Sequence, residues 1–169
     1  MQHYTLSQLN SMTQEAFTAA LGEIWEETPE IACRAWNEIP FSDVDALHQS
    51  MVRIVEEMSD SEQLALIKAH PDLGSKAKMA DASVREQAGA GLDRLDAQEY
   101  ERFQELNQAY KNKFGMPFII AVKEHTKASI LAAFEARLRN AIAPEKQQAL
   151  QEISKIARFR LEAAIHSPR

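Results

Sequence analysis

Apolar residues recur at helical spacing along almost the whole chain. Two stretches show this best, and their periodic positions are Leu47, Met51, Ile54, Val55 and Met58, and then Tyr100, Phe103, Leu106, Asn107, Tyr110 and Phe114. Steps of three and four residues keep side chains on one face of an α-helix. The pattern therefore predicts an all-α protein, with about seven or eight helices.

Residues that favour helix starts stand ahead of the apolar runs. They are Ser42 ahead of Asp45, Ser59 ahead of Glu62, Ser83 ahead of Glu86, Thr126 before Ile130, and Pro144 at the opening of the last helix. No repeat or shift in composition divides the 169 residues, a length sufficient for a buried core. We therefore expect one domain over residues 1–169.

Three places interrupt the helical pattern. They are the run His70–Gly74, the glycine pair Gly89 and Gly91, and the run Phe114–Val122. In the last of these, Pro117 disfavours a continuous helix, yet the five residues after it are all apolar and must be buried. This predicts an extended or irregular inner segment whose free backbone amides can face a ligand.

Composition and charge narrow the possible functions. The net charge of -6 and the lack of a basic stripe argue against nonspecific nucleic-acid binding and against a DNA-binding helix-turn-helix. No signal peptide or membrane span is expected, and the single cysteine, Cys33, favours a reducing compartment such as the cytoplasm. Signatures of zinc sites, phosphate-binding loops and serine-hydrolase elbows do not occur.

His70 ends an apolar helical stretch and is followed directly by Pro71. The proline is expected to force the chain out of the helix and to leave the imidazole at the helix C-terminus. There the ring can cap the last carbonyl groups, or it can act as an acid or base near neutral pH. The residues alone leave both roles open.

Glu86 is the last residue of a Ser-x-x-Glu run that begins at Ser83. The run matches a capping box, in which the glutamate binds the amide of the cap residue. A helix start with unpaired amides at this place can also bind a carboxylate or a polarised carbonyl. Capping and catalysis are both compatible with the run.

Arg160 falls on the apolar face of the last predicted helix, between Ile153 and Ile156, whereas Arg158 falls at the edge of that face. An arginine on a buried face needs a partner. That partner is either a core carboxylate or the carboxylate or ureido carbonyl of a substrate.

Taken together, the interrupted regions resemble the family of 2-oxo-4-hydroxy-4-carboxy-5-ureidoimidazoline (OHCU) decarboxylases over nearly the whole chain. The resemblance lies in the His-Pro-Asp-Leu-Gly run at residues 70–74, the Ser-x-x-Glu-Gln-x-x-Ala-Gly-Leu run at 83–92, and the Phe-Ile-Ile-Ala-Val run at 118–122. It implies an all-helical fold and an enzyme that forms (S)-allantoin from the last intermediate of urate conversion.

The resemblance also implies a site. It makes His70 and Glu86 catalytic, with His70 transferring the proton, and assigns substrate binding to Pro71, Ser83, Val84, Arg85, Glu86, Gln87, Phe118, Ile119, Ile120, Ala121, Val122 and Arg160. It further implies a small-molecule ureide substrate, no metal or organic cofactor, a homodimer, and a possible functional association with hydroxyisourate hydrolase. The alternatives are a non-catalytic helical ligand-binding module and a lyase or hydrolase of a related ureide.

Overall fold

The computed structural model describes residues 3–74 and 81–166, and this part of the chain is mainly helical, which confirms the all-α prediction. The described residues form nine α-helices, one or two more than the apolar pattern predicts, because five- and six-residue helices are too short to show a period. The helices are α1 (Leu6–Asn10), α2 (Gln14–Leu21), α3 (Glu30–Ala35), α4 (Val44–Glu57), α5 (Asp60–Lys68), α6 (Asp81–Gly89), α7 (Ala97–Phe114), α8 (Lys127–Arg137) and α9 (Ile142–Ala164).

Short elements complete the described chain. Two 3-10 helices lie at Trp36–Glu38 and Val122–Glu124. Strand β1 (Tyr4–Thr5) pairs in parallel with β2 (Ile165–His166), with Tyr4 opposite Ile165. Within residues 3–74 and 81–166, no helix combines the length and the apolar character needed to cross a membrane.

The chain divides into two compact units. The first unit contains the residues up to Leu66 and those from Ser154 onward, and the second unit is Ile67–Ile153. Each unit has its own buried aromatic and aliphatic residues. A single domain over residues 1–169 remains a prediction.

The first unit packs α2 and α4 against α3. Leu47 and Met51 of α4 are fully buried, and the Trp25 indole Nε1 lies 3.2 Å from the sulfur of Met51. Trp36 is half-buried and donates its indole N–H to the Met12 carbonyl at 2.8 Å. The periodic face predicted for α4 is therefore the buried face.

The second unit has an aromatic core between α7, α8 and the irregular segment that joins them. The rings of Phe118 and Phe134 stack with centroids 3.9 Å apart, and Tyr110 meets both rings edge-on. Tyr110, Phe118 and Phe134 are all buried. This core fixes one side of the segment that the sequence predicts to be irregular.

Of the five predicted helix starts, those at Ser59 and Thr126 are confirmed and the one at Ser42 is wrong. Ser59 and Glu62 bind each other's backbone amides at the start of α5, and Thr126 caps α8. The cap of α4 is Asp43 and not Ser42, since the Asp43 carboxylate accepts the Ala46 N–H at 2.7 Å. Both residue types cap well, so composition alone does not separate neighbours.

The last helix begins at Ile142, two residues ahead of the predicted start at Pro144. Pro144 therefore lies in the first turn, where its missing N–H leaves no helical hydrogen bond unmade. The proline marks the region of the helix start correctly and its first residue incorrectly.

Candidate active site

His70 lies just beyond the end of α5, as predicted. The helix ends at Lys68, the His70 N–H still donates to the Ile67 carbonyl at 3.2 Å, and Pro71 follows in a non-helical conformation. The histidine is only 8% exposed. The proline thus turns the chain out of the helix while His70 remains buried.

The loop His70–Gly74 is held by side chains from two helices. Gln87 of α6 accepts the Gly74 N–H at 3.0 Å, and Asn107 of α7 donates to the Leu73 carbonyl at 2.9 Å. Lys111, also on α7, forms a 2.6 Å ion pair with Asp72. Because three consecutive loop residues are fixed in this way, the position of His70 depends on α6 and α7.

Gly74 is a position where the loop requires glycine. Its φ of +68° lies in the left-handed region, and a Cβ atom there would approach the Leu95 Cδ1 to 2.7 Å. A side chain at this position would therefore be strained by the backbone and crowded by its neighbour.

The predicted capping box at Ser83 is wrong. Helix α6 begins at Asp81, so Ser83 lies inside the first turn and Glu86 lies in the helix interior rather than three residues after the cap. Ser-x-x-Glu is compatible with a helix interior as well as a helix start, because neither residue type interrupts a helix. Glu86 is half-buried and belongs to a helical face, not to a cap.

The five predicted binding residues of α6 divide between two faces. Ser83 and Gln87 are buried and Glu86 is half-buried, whereas Val84 and Arg85 are exposed. Positions i, i+3 and i+4 share one face of a helix, so Ser83, Glu86 and Gln87 lie together. Binding by Val84 and Arg85 remains a prediction on the opposite, solvent-facing side.

The segment after α7 is irregular and buried, which confirms the prediction from Pro117. Helix α7 ends at Phe114, and Gly115 follows at a φ of +68°. The residues of the segment are each at most 6% exposed, and they are Phe118, Ile119, Ile120, Ala121 and Val122. Residues 118–121 are therefore buried without regular secondary structure, and Val122 begins the 3-10 helix Val122–Glu124.

In the second unit, helix α6, which ends at Gly89, contacts the other two interrupted regions. The Gln87–Gly74 hydrogen bond joins α6 to the His70–Gly74 loop, and α6 also packs against the 3-10 helix Val122–Glu124, where the buried segment ends. Helix α6 thus contacts both the His70–Gly74 loop and the end of the buried segment.

A cluster of polar residues around the buried Glu145 carboxylate, which the sequence pattern did not indicate, contacts the segment through Arg137. The Glu145 carboxylate is fully buried and accepts hydrogen bonds from the Tyr110 hydroxyl at 2.6 Å, the Arg137 Nε at 2.5 Å and the Asn140 amide at 3.0 Å. Burial, together with the bond to Glu145, raises the pKa of Tyr110, so the phenol remains a donor. We call these four residues the Glu145 cluster.

Helical spacing was the signal that could have revealed Arg137. It follows Ile130 and Phe134 at steps of four and three residues, on the buried face of α8. The same spacing indicates Arg160 in α9. A cation on an apolar face predicts a buried carboxylate, here Glu145, although it does not say which one.

Arg160 is buried in the first unit, as its helical position predicts. Its guanidinium pairs with Glu26 at 2.9 Å and donates to the carbonyls of Glu23 and Ile24 at 3.2 and 3.5 Å. The core carboxylate that the sequence offered as one alternative is therefore present, and it is Glu26. Substrate binding by Arg160 remains a prediction.

An open cleft of about 340 Å³ lies beside His70. Its lining consists of Lys68, His70, Asp72, Lys111, Gly115, Met116 and Pro117. Of these described residues, His70 alone belongs to the predicted site. The cleft lies on the side of α5 and α7, with His70 among its lining residues.

Comparison with known proteins covers nearly the whole chain. The family model described as OHCU decarboxylase matches residues 10–162. The chain is 46% identical to 2-oxo-4-hydroxy-4-carboxy-5-ureidoimidazoline decarboxylase of Halalkalicoccus jeotgali, covering 96% of this chain and 92% of that protein. It is 49% identical to the uric acid degradation bifunctional protein PucL of Bacillus subtilis, covering 94% of this chain and 32% of that protein.

Two solved structures resemble the structure of this chain. The crystal structure of (S)-allantoin synthase matches 96% of this chain with a TM-score of 0.80 and 30% identity, and the match spans 54% of that chain. The crystal structure of OHCU decarboxylase in the presence of (S)-allantoin matches 90% of this chain and 97% of that chain, with a TM-score of 0.69. At 24% identity, the second likeness indicates the fold alone.

Proposed function

The chain belongs to the OHCU decarboxylase family, and on this premise we propose that it converts 2-oxo-4-hydroxy-4-carboxy-5-ureidoimidazoline to (S)-allantoin, the last step from urate to allantoin. It is a carboxy-lyase, in keeping with the names of its relatives. The assignment of residues depends on one observation: within one unit, α6 contacts both the His70–Gly74 loop and the end of the buried segment.

The reaction requires the enzyme to manage one electron pair and one proton. Cleavage of the bond to the carboxylate releases carbon dioxide and leaves the electron pair on the ring carbon. The substrate's ring carbonyls and nitrogens accept that charge, so the protein supplies hydrogen-bond donors and a positioned acid, and no cofactor. Protonation of one face of the neighbouring ring carbon, which bears the ureido group, and loss of the hydroxyl proton from the decarboxylated carbon then give a single enantiomer of allantoin.

We assign the proton delivery to His70 and an assisting acid-base role to Glu86. A histidine suits this role because its reference pKa of about 6.5 lies near working pH, and positioned acid-base groups contribute roughly 10²- to 10⁴-fold. The cleft supports the assignment because it offers room for a small molecule beside His70. Glu86 supports it as a half-buried carboxylate on the same helical face as Ser83 and Gln87.

The buried segment supplies further binding groups in this proposal. Among the residues that the structure describes, the N–H and the C=O of Ile120 have no hydrogen-bond partner, although Ile120 is 4% exposed. Buried backbone groups are nearly always paired with protein, water or ligand. We assign these two groups to the substrate. Substrate binding by Arg160, in the first unit, is proposed from the family resemblance alone.

Location and assembly are also proposals. The single cysteine, Cys33, supports a cytoplasmic enzyme, and the family resemblance supports a homodimer. The family resemblance also supports a functional link to hydroxyisourate hydrolase, and a relative in Bacillus subtilis is named a bifunctional uric acid degradation protein. Light scattering of the purified protein, alone and mixed with that hydrolase, tests the last two.

The reaction is tested by generating the unstable substrate in place with urate oxidase and hydroxyisourate hydrolase. Circular dichroism then follows the product, and we expect rapid formation of optically active (S)-allantoin that is lost in His70→Ala. Allantoate and ureidoglycolate are offered separately to detect a lyase or hydrolase of a related ureide. Slow racemic allantoin, unaffected by the protein, would instead indicate a ligand-binding module.

A further inference from the structure

Charged side chains form hydrogen bonds with two peptide units of the buried segment. The Arg137 guanidinium donates to the Ile119 carbonyl at 2.5 Å, and the Glu152 carboxylate accepts the Ala121 N–H at 3.1 Å. Arg137 and Glu152 are themselves buried, at 9% and 3% exposure. The Ile119 C=O and the Ala121 N–H are thus the direct neighbours of the Ile120 N–H and C=O, which have no hydrogen-bond partner among the described residues.

Because peptide units are planar, these two hydrogen bonds determine the directions in which the Ile120 N–H and C=O point. In a trans peptide unit the C=O and the N–H point to opposite sides. Since the Ile119 carbonyl points to Arg137, the Ile120 N–H in the same unit points away from Arg137. Since the Ala121 N–H points to Glu152, the Ile120 carbonyl points away from Glu152.

We propose that Arg137 and Glu152 are positioning residues, which present the Ile120 N–H and C=O as a donor and an acceptor for the amide or ureido group of the substrate. The inference rests on the function proposed above and adds two residues to it. A ureido group carries both an N–H and a carbonyl, so one residue with a donor and an acceptor complements it.

The Glu145 cluster explains how Arg137 can hold this position. Glu145 accepts the Arg137 Nε while the terminal nitrogen Nη1 reaches Ile119, and the guanidinium lies 4.4 Å from the centroid of the Phe118 ring. The planar guanidinium is therefore fixed on three sides. Gln148 orients Glu152 in a comparable way, by donating to its second oxygen at 3.3 Å.

Glu152→Leu is the direct test, because leucine fills a similar volume and leaves the Ala121 N–H without its acceptor. We expect its KM to rise about tenfold, the effect of about 1.4 kcal/mol, while the pH profile of kcat stays that of the wild type. Amide hydrogen exchange of the peptide that contains Ala121 should become faster. Glu152→Gln keeps an acceptor oxygen and should restore both the KM and the protection.

Glu135→Leu is the matched control, since it makes the same substitution at an exposed glutamate of the second unit. Arg137→Lys is a second test in case Glu152→Leu does not fold, because lysine keeps the charge and loses the fork that joins Glu145 to Ile119. It too should raise KM and speed exchange across residues 118–122.

A folded Glu152→Leu protein with wild-type KM and wild-type exchange would overturn the inference, as would a Glu152→Gln protein as impaired as Glu152→Leu. Failure of the proposed function has a different signature. In that case the wild-type protein forms no (S)-allantoin, yet faster exchange in Glu152→Leu and protection in Glu152→Gln would still support the positioning of Ile120.

Discussion

Glu145→Gln should destabilise the protein strongly although it replaces only one oxygen with an amide nitrogen. The amide oxygen of the new side chain could still accept the Tyr110 hydroxyl, so the variant mainly removes the negative charge that faces the buried Arg137. Nη2 of Arg137 already has no partner among the described residues. The variant therefore leaves a buried cation without its counter-ion.

The magnitude follows from what remains around Arg137. Breaking a buried ion pair by removing one partner typically costs about 3–5 kcal/mol. We expect the lower end, about 3 kcal/mol, because the Ile119 carbonyl and the Phe118 ring still interact with the guanidinium. For a chain of this size each kcal/mol lowers Tm by roughly 2–4 °C, so Tm should fall by about 6–12 °C.

The assay is urea and thermal unfolding followed by far-ultraviolet circular dichroism, with Glu135→Gln as the matched control. Glu135 makes a 2.6 Å ion pair with Arg102 in the same unit, but both side chains are close to half exposed, at 48% and 45%. Water and salt screen such a pair, so the control should unfold at the wild-type midpoint. Equal midpoints for the two variants would refute the stabilising role of the buried pair.

Two further predictions concern pH and backbone conformation. Because burial raises the pKa of Tyr110, the contribution of this residue to stability is complete below the unfolded pKa of about 10 and is lost as the pH rises further. Tyr110→Phe should therefore flatten the fall of the urea midpoint above about pH 10. An unchanged slope would contradict this. Gly115→Ala should cost about 1 kcal/mol for its left-handed conformation, and Gly74→Ala should cost more, because only there does the new Cβ meet Leu95; equal losses of Tm would contradict the crowding.

Local patterns predicted the parts of the site that depend on local physics. Pro71 ends α5 and leaves His70 beyond it, Pro117 excludes a helix through five apolar residues, and Arg160 follows the helical period into the core. Each of these outcomes is decided by residues within about one or two helical turns. They did not require knowledge of the tertiary structure.

Other parts of the site depend on residues far apart in the chain. The capping box at Ser83 was wrong because the start of α6 lies upstream, and a Ser-x-x-Glu run does not encode where a helix begins. Glu26 was not foreseen as the partner of Arg160, and neither was Glu145 as the partner of Arg137. The helical period predicts that a charged residue is buried and needs a partner. Which residue becomes that partner depends on the tertiary structure.

The buried charges of the second unit and its irregular segment have a common physical cause. Helices pair their own backbone groups, but the segment after Pro117 has no ladder of its own and is buried, so its peptide groups need side-chain partners. Arg137 and Glu152 supply them from α8 and α9, and each must then be paired or oriented in turn by Glu145 or Gln148. A continuous helix through these residues would need none of these charges, but it would also leave the Ile120 N–H and C=O bonded within the helix. The irregular segment is thus what makes the Ile120 peptide groups available, and the polar network behind it is the structural requirement that follows.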